Sequence, residues 1–313
     1  MSKITIHVGL HKTATTFLQT AVFPYAENTT FVSRPFTQLN HAFNKLQYAD
    51  DSLYCEKEFI KEVQNINTVS NADNLIFSDE SFSGKPTFFS YVNRSIIAKR
   101  FANVFPEAQV ILFIRDQKDI MVSHYNSYIK MPYGTKKIQN LFRYPDSNYE
   151  YEEYLDSSTR DNHSAIYYNT NDYHIHPDCF KYTNLIKTYQ NCFENLHVFT
   201  YEQLRNDIEG VVLNLEKILG QKINVKSVER ENASLSKSML AKRRVLNNVL
   251  SSETSKYVRK AGQIALNVIP TLPSKNLRDT IDDHIGSYFS EDNQELKLLL
   301  PDINWADYPD KYR

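Results

Sequence analysis

Between residues 9 and 16 the chain reads Gly-Leu-His-Lys-Thr-Ala-Thr-Thr, which places one glycine, one lysine and three threonine hydroxyls in a single short turn with no acidic residue. Such a turn offers an ammonium, hydroxyl donors and the unpaired N–H groups that open a helix, and together these suit a phosphate or a sulfate. A nucleoside triphosphate loop would need Gly-x4-Gly-Lys-[Ser/Thr], with the second glycine directly before the lysine. Here His11 holds that place, and only two residues separate Gly9 from Lys12. Two further charged residues stand where short apolar runs stop: Glu80 after Leu75-Ile76-Phe77, and Arg115 after Val110-Ile111-Leu112-Phe113-Ile114.

The elements that must position these groups can be read from hydrophobic period. Ile4, Ile6 and Val8 alternate as a strand does, and Phe17, Leu18, Ala21 and Val22 recur at helical spacing from Thr15 until Pro24. Leu75–Phe77 and Val110–Ile114 predict buried parallel strands, and ligand sites in parallel sheets lie at the carboxyl ends of the strands. At the first of these ends Ser78 or Asp79 suits a cap on the next helix or turn, which leaves Glu80 unneeded for that purpose. The pattern also predicts helices over Glu56–Val69, Tyr91–Phe105 (with a basic face, ended by Pro106), Tyr182–Glu194 and Asn206–Leu219, the last stopped by Gly220. A strand is expected over Leu196–Glu202 and further helices from Met239 to Leu300, while residues 25 to 70, mixed and polar around the helix near Glu56–Val69, have no readable function. The expected fold is therefore α/β, a central, mostly parallel sheet flanked by helices, in a single domain over residues 1–313.

Composition narrows the functional classes. With 313 residues, 41% of them hydrophobic, the chain can bury a sizeable core, and a net charge of −1 gives no global field for nucleic acid. Anion binding must come from local placement of lysine and arginine. The three cysteines, Cys55, Cys179 and Cys192, have neither metal nor redox spacing, so a reducing compartment without disulfides is expected. The absence of an apolar leader or membrane-length run makes the expected location cytoplasmic. Residues 125–189 hold 12 of the 21 tyrosines, broken by Pro, Asn, Asp and Ser, and read as an insertion. Those rings suit stacking on a sugar or another flat acceptor, and equally suit packing of a loop-rich subdomain. His174, His176 and Cys179 lack a fourth ligand at metal spacing, and Glu150, Glu152, Glu153 and Asp156 read as a solvated face.

The stretch from Lys12 to Phe17 resembles the 5'-phosphosulfate loop of sulfotransferases that use 3'-phosphoadenosine 5'-phosphosulfate, whose pattern is Lys-[Ser/Thr]-Gly-Thr-Thr followed by an aromatic or apolar residue. Lys12, Thr13, Thr15, Thr16 and Phe17 fit, and Ala14 replaces the glycine, so the backbone there is expected to avoid positive φ. Arg115 and Ser123, eight residues apart, resemble the pair that holds the 3'-phosphate, with Lys118-Asp119 on a Lys-Asp pair frequent in that family. Tyr201-Glu202 resembles a Tyr-Glu segment whose tyrosine reaches the adenine, although a core tyrosine reads equally well. Arg230, Asn232, Ser234 and Lys237 lie where the family closes a loop over the nucleotide, but the Arg-Lys-Gly-x-x-Gly-Asp-Trp segment of its cytosolic members has no counterpart.

This resemblance implies a P-loop-like, three-layer sulfotransferase fold and transfer of a sulfuryl group to an acceptor hydroxyl, on a saccharide or a glycolipid. Lys12 would stabilise the leaving group, and Glu80 would act as general base with His11, His124 and Asp79 in reserve. The transferring group carries less charge than a phosphoryl group, so no metal is expected. The competing readings are a metal-dependent nucleotide kinase, disfavoured by the loop spacing, and a module that binds the nucleotide without turnover.

Overall fold

The computed structural model describes residues 2–33, 40–70, 72–84, 93–131, 134, 137–142, 175–226, 237–250, 254–268, 276–308 and 311–312. The chain divides into two compact units: Met1–Asp116, Lys181–Glu231 and Phe289–Arg313 form the first, Gln117–Phe180 and Asn232–Tyr288 the second.

The first unit is built on five strands, β1 (Lys3–Gly9), β2 (Thr29–Ser33), β3 (Asn74–Asp79), β4 (Gln109–Ile114) and β5 (Leu196–Thr200), in the order β2-β3-β1-β4-β5. Every neighbouring pair is parallel, with Val8 opposite Asp79, Gly9 opposite Phe113 and Ile114 opposite Thr200. The carboxyl ends therefore share one edge, and the residues that leave the strands emerge there: the turn after Gly9, then Glu80, Arg115 and Tyr201. The strands expected at Ile4–Val8, Leu75–Phe77 and Val110–Ile114 form where the sequence places them. The unexpected one is β2, whose five residues are all half-buried, as an edge strand allows, so neither alternation nor an apolar run marks it.

Both faces of the sheet are covered, which explains near-continuous apolar runs in place of alternation. On one side Leu18, Ala21, Val22 and Phe23 pack with Ile76, Ile111, Phe113, Val211 and Leu215. On the other, the helices Asn40–Tyr48, Glu56–Ser70 and Arg94–Val104 bring together Phe43, Phe59 and Phe101; the Phe43 ring centre lies 5.3 Å from that of Phe77 and 5.4 Å from that of Phe82. His7, at the middle of β1, meets Ser78 Oγ at 2.7 Å through Nδ1, and burial pushes its pKa down to about 3.

Local physics adjusts several expected boundaries. The segment after the first turn is α-helical only over Thr15–Phe17, then widens to a π-turn at Leu18–Val22 and tightens to a 3-10 turn at Phe23–Tyr25 that contains Pro24. A proline lacks the N–H that would continue the ladder, so the hydrogen bonding changes type ahead of it. The strand expected to run to Glu202 stops at Thr200, whose hydroxyl caps a new helix, Tyr201–Asn206, in a reciprocal box with Gln203. Asp207 then caps a separate helix, Ile208–Leu219, and Gly220 ends it at φ 70°. The basic face expected on Tyr91–Phe105 is also corrected. Arg100 turns inward and donates to Ala49 O at 2.8 Å, Leu46 O at 2.9 Å and the Asp51 carboxylate.

In the second unit the helix Gln117–Lys130 is held by ion pairs to the helix Leu277–Ile285: Lys118 to Asp282 at 2.9 Å and Asp119 to Arg278. The Lys-Asp pair singled out in the sequence thus fastens two helices. Asn247, on the helix Lys237–Val249, donates to Ile129 O, Met131 O and Gly134 O at 3.1, 2.9 and 3.0 Å and closes the carboxyl end of the first helix. Tyr125 and Tyr128 are buried here, as Tyr182 and Tyr189 are in the first unit. These four tyrosines of the 125–189 stretch pack cores, while residues 143–174, with His174 and the acidic run from Glu150 to Asp156, lie outside the described residues. His176 Nδ1 accepts the Asp178 amide at 3.1 Å, and Cys179 is buried. Among the described residues no helix is long and apolar enough to cross a membrane.

Candidate functional site

The turn after β1 is shaped by Gly9. A Cβ there would lie 2.8 Å from Thr15 Oγ1 and 3.2 Å from the Glu80 Cα, so only glycine lets the start of the helix and the end of β3 close on the strand. Lys12 and Ala14 both adopt left-handed backbone, at φ 71° and 66°. This overturns the expectation that Ala14 avoids positive φ. The reversal is held by local bonds that outweigh a strain of roughly 1–2 kcal/mol per residue. Thr13 Oγ1 and Thr15 Oγ1 both donate to Leu10 O, at 2.7 and 3.2 Å, and Leu18 N donates to Ala14 O at 3.2 Å. Thr13 and Thr15 are buried, Lys12 and Phe17 are half-buried, and Thr16 is exposed. The hydroxyl protons of Thr13 and Thr15 thus shape the loop.

Beside it, Asp79 performs the capping role, accepting Ser81 N at 2.8 Å, and Glu80 begins a 3-10 turn, Glu80–Ser83. Ser83 Oγ lies 2.8 Å from both Gly9 O and Glu80 O, tying that turn to the first. Glu80 is half-buried, as is His11. Of the other residues named for the base or the nucleotide, His124 is buried in the second unit with its ring 5.6 Å from that of Phe180. Ser123 stands half-buried on the helix Gln117–Lys130 of that unit. Arg230, Asn232 and Ser234 lie outside the described residues, and Lys237 opens the helix Lys237–Val249.

Arg115 brings the remaining segments together. Its Nη1 donates to Lys12 O at 3.0 Å, and its guanidinium carbon lies 4.2 Å from the centre of the Tyr201 ring. Its carbonyl accepts the Tyr182 hydroxyl at 2.7 Å. Three stretches picked out in the sequence, around Lys12, Arg115 and Tyr201, meet in this one contact, and the cation stacked on the ring is favoured by the ring's quadrupole. Arg115 Nε is buried without a hydrogen-bond partner. A guanidinium with an unspent donor can take an anionic partner.

Sequence reasoning missed the residues behind this pair. Asp116 and Glu202, each one position further on, are buried, and Tyr312 reaches both: its N–H donates to Asp116 Oδ2 at 3.0 Å and its hydroxyl to Glu202 Oε2 at 2.8 Å. Burial pushes the Glu202 carboxyl up, against the opposing pull of the Tyr312 hydroxyl. Nothing local marks Tyr312, because the partners meet only through the fold.

This architecture has a counterpart. A sulfotransferase from Alicyclobacillus acidocaldarius shares the fold, with a TM-score of 0.52 and 13% sequence identity over 96% of this chain and 96% of that one. No curated protein sequence matches at a significant level. The sulfotransferase domain family matches residues 4–264, a span that contains β2 to β5, all of β1 but Lys3, the turn at Lys12, Glu80, Arg115 and Tyr201. A match covering most of the sequence, on a sheet whose parallel strands all end at one edge, settles the kinship: the chain belongs to the sulfotransferase family.

Proposed function

We propose that this transferase takes its sulfuryl group from 3'-phosphoadenosine 5'-phosphosulfate and delivers it to an acceptor hydroxyl on a saccharide or a glycolipid. The observation that carries the donor assignment is Arg115, bonded to the Lys12 carbonyl, stacked on Tyr201 and left with a buried, unpaired Nε. A nucleotide with phosphate at both its 3' and 5' positions asks for two anion sites near an aromatic ring. Lys12 with Thr13, Ala14, Thr15, Thr16 and Phe17 would serve the 5' end and Arg115 the 3'-phosphate, with Tyr201 toward the adenine. Ser123 joins Arg115 in this reading on sequence spacing alone.

Sulfuryl transfer builds negative charge on the leaving phosphate oxygen, and a fixed ammonium such as that of Lys12 lowers the barrier most when water is excluded. Glu80, whose turn is tied to Gly9, would take the acceptor's proton. Tyr125, Tyr128, Tyr182 and Tyr189 are spent on core packing, so none of these four is offered to a sugar.

Thermal shift separates this reading from its competitors. Adenosine 3',5'-bisphosphate at ~100 times its dissociation constant should stabilise the protein by roughly 2.7 kcal/mol. Arg115→Ala should weaken that ligand far more than adenosine 5'-phosphate, because the lost charge-assisted bonds exist only with the bisphosphate. Stabilisation by ATP with magnesium and not by the bisphosphate would replace the reading with a kinase-like one. Tight bisphosphate binding without transfer to any hydroxyl in a saccharide panel would leave a nucleotide-binding module.

A further inference from the structure

Arg115 and Tyr201 are the first residues after the adjacent parallel strands β4 and β5, whose last residues, Ile114 and Thr200, are paired. Arg115 directly follows its strand and Tyr201 opens the helix Tyr201–Asn206, so the 4.2 Å stack between them depends on what fixes the two chain exits. Behind the stack lies a closed ring of three hydrogen bonds. Asp116 N donates to Glu202 Oε1 at 3.3 Å, Glu202 Oε2 accepts the Tyr312 hydroxyl at 2.8 Å, and Tyr312 N returns to Asp116 Oδ2 at 3.0 Å. All three residues are 2% exposed or less. The Tyr312 ring is seated edge-on against Trp305, with centroids 5.0 Å apart, and its backbone stands at φ 53°. Left-handed backbone at a bulky aromatic residue is strained, and it persists only where the surroundings over-determine it.

We infer that Tyr312 is a positioning residue for the nucleotide site: by holding Asp116 and Glu202 at once, it sets the separation of Arg115 and Tyr201. The inference rests on the donor reading above for its functional consequence, and on geometry alone for the coupling. A tyrosine that merely closed the core would lower stability when altered and leave ligand discrimination as it was. A tyrosine that sets the stack acts through Arg115, so its effect must disappear when the Arg115 side chain is gone. Such a link also suits the chemistry of the neighbours. Two buried carboxyl groups, one bonded to each strand exit, are held together by a donor that can satisfy one through its hydroxyl and the other through its N–H.

The test is a double-mutant cycle read by calorimetric binding of adenosine 3',5'-bisphosphate and adenosine 5'-phosphate. Tyr312→Phe keeps the ring and the N–H and removes one bond. It should weaken the bisphosphate by about fivefold or more and the monophosphate by less than twofold, and in the Arg115→Ala background it should cause no further loss. Glu202→Gln, which keeps size and polarity, should reproduce the pattern if Tyr312→Phe folds poorly. Equal losses for both ligands, or losses that add fully to those of Arg115→Ala, would overturn the inference. Amide hydrogen exchange on the unliganded protein keeps the donor reading separate. If wild type ignores the bisphosphate, that reading fails, and faster exchange at Asp116 N in Tyr312→Phe still upholds the coupling, whereas unchanged exchange there refutes it.

Discussion

Ala14 offers the sharpest test of the loop geometry, because its left-handed backbone at φ 66°, ψ 23° reverses the usual sign of an alanine-to-glycine change. At ordinary backbone angles Ala14→Gly would lose roughly 0.7 kcal/mol through the looser unfolded chain. It would lose about 0.4 kcal/mol more for a half-buried methyl packed on the Leu18–Phe23 cluster, half of the ~0.8 kcal/mol for a fully buried one. Left-handed alanine carries roughly 1.5 kcal/mol of strain that glycine does not. The three effects leave Ala14→Gly about 0.4 kcal/mol more stable if the angle is as seen, and about 1.1 kcal/mol less stable if it is not. Urea unfolding resolves the difference. With a slope near ~3 kcal/mol/M the midpoint should rise by about 0.1 M at unchanged slope, whereas a left-handed position wrongly assigned would lower it by about 0.4 M. A fall of that size would refute the two-residue left-handed turn, and with it the account of how Thr13 and Thr15 come to share the Leu10 carbonyl.

Lys12→Ala should lower turnover by about 10²-fold or more, the scale for removing one transition-state donor, and near-normal turnover in a steady-state assay would exclude the leaving-group role. Glu80→Gln should leave adenosine bisphosphate affinity in place while turnover falls by roughly 10² to 10⁴, so a parallel loss of binding and melting temperature would make Glu80 structural instead. His7 makes stability depend on pH. Its folded pKa, about 3, lies below the unfolded value of 6.5, so its contribution is complete above pH 6.5 and is lost as pH falls toward 3, at about 1.4 kcal/mol per unit. Between pH 7.5 and 5.5 wild type should therefore lose about 1.4 kcal/mol more than His7→Asn, and parallel urea profiles for the two would contradict the buried neutral imidazole.

What could be read from the sequence was what is local. The runs at Leu75–Phe77 and Val110–Ile114 announce buried strands because a sheet covered on both faces leaves no alternation to dilute them, and Asp79 announces its cap because the cap is made two residues away. Gly220 likewise stops its helix where a left-handed residue is needed. Strand β2 escaped because an edge strand with half-buried residues needs no apolar signature. The Leu196–Glu202 run misled by two residues, since a capping box at Thr200 and Gln203 outweighs the β-propensity of Tyr201. At Ala14 the general rule about positive φ was sound and the inference failed, because three local bonds to Leu10 O and Ala14 O hold a geometry that alanine alone would avoid.

The site divides the same way, and the division has a physical reason. Lys12, Arg115 and Tyr201 lie far apart in the chain, yet each comes just after a strand, and parallel strands in one sheet deliver their carboxyl ends to one edge whatever the length of the connections between them. A motif reader can therefore anticipate that they converge without knowing a single distance. Residues one position further on obey a different rule. Asp116 and Glu202 point into the protein, where an ionisable group is tolerated only if something specific satisfies it, and the partner that does so is 196 residues from Asp116 and 110 from Glu202. No pattern along the chain encodes that pairing, since any buried N–H and hydroxyl in the right place would serve. The residues at the strand ends are thus the ones the sequence reveals, and the buried partners behind them are the ones only the folded chain identifies.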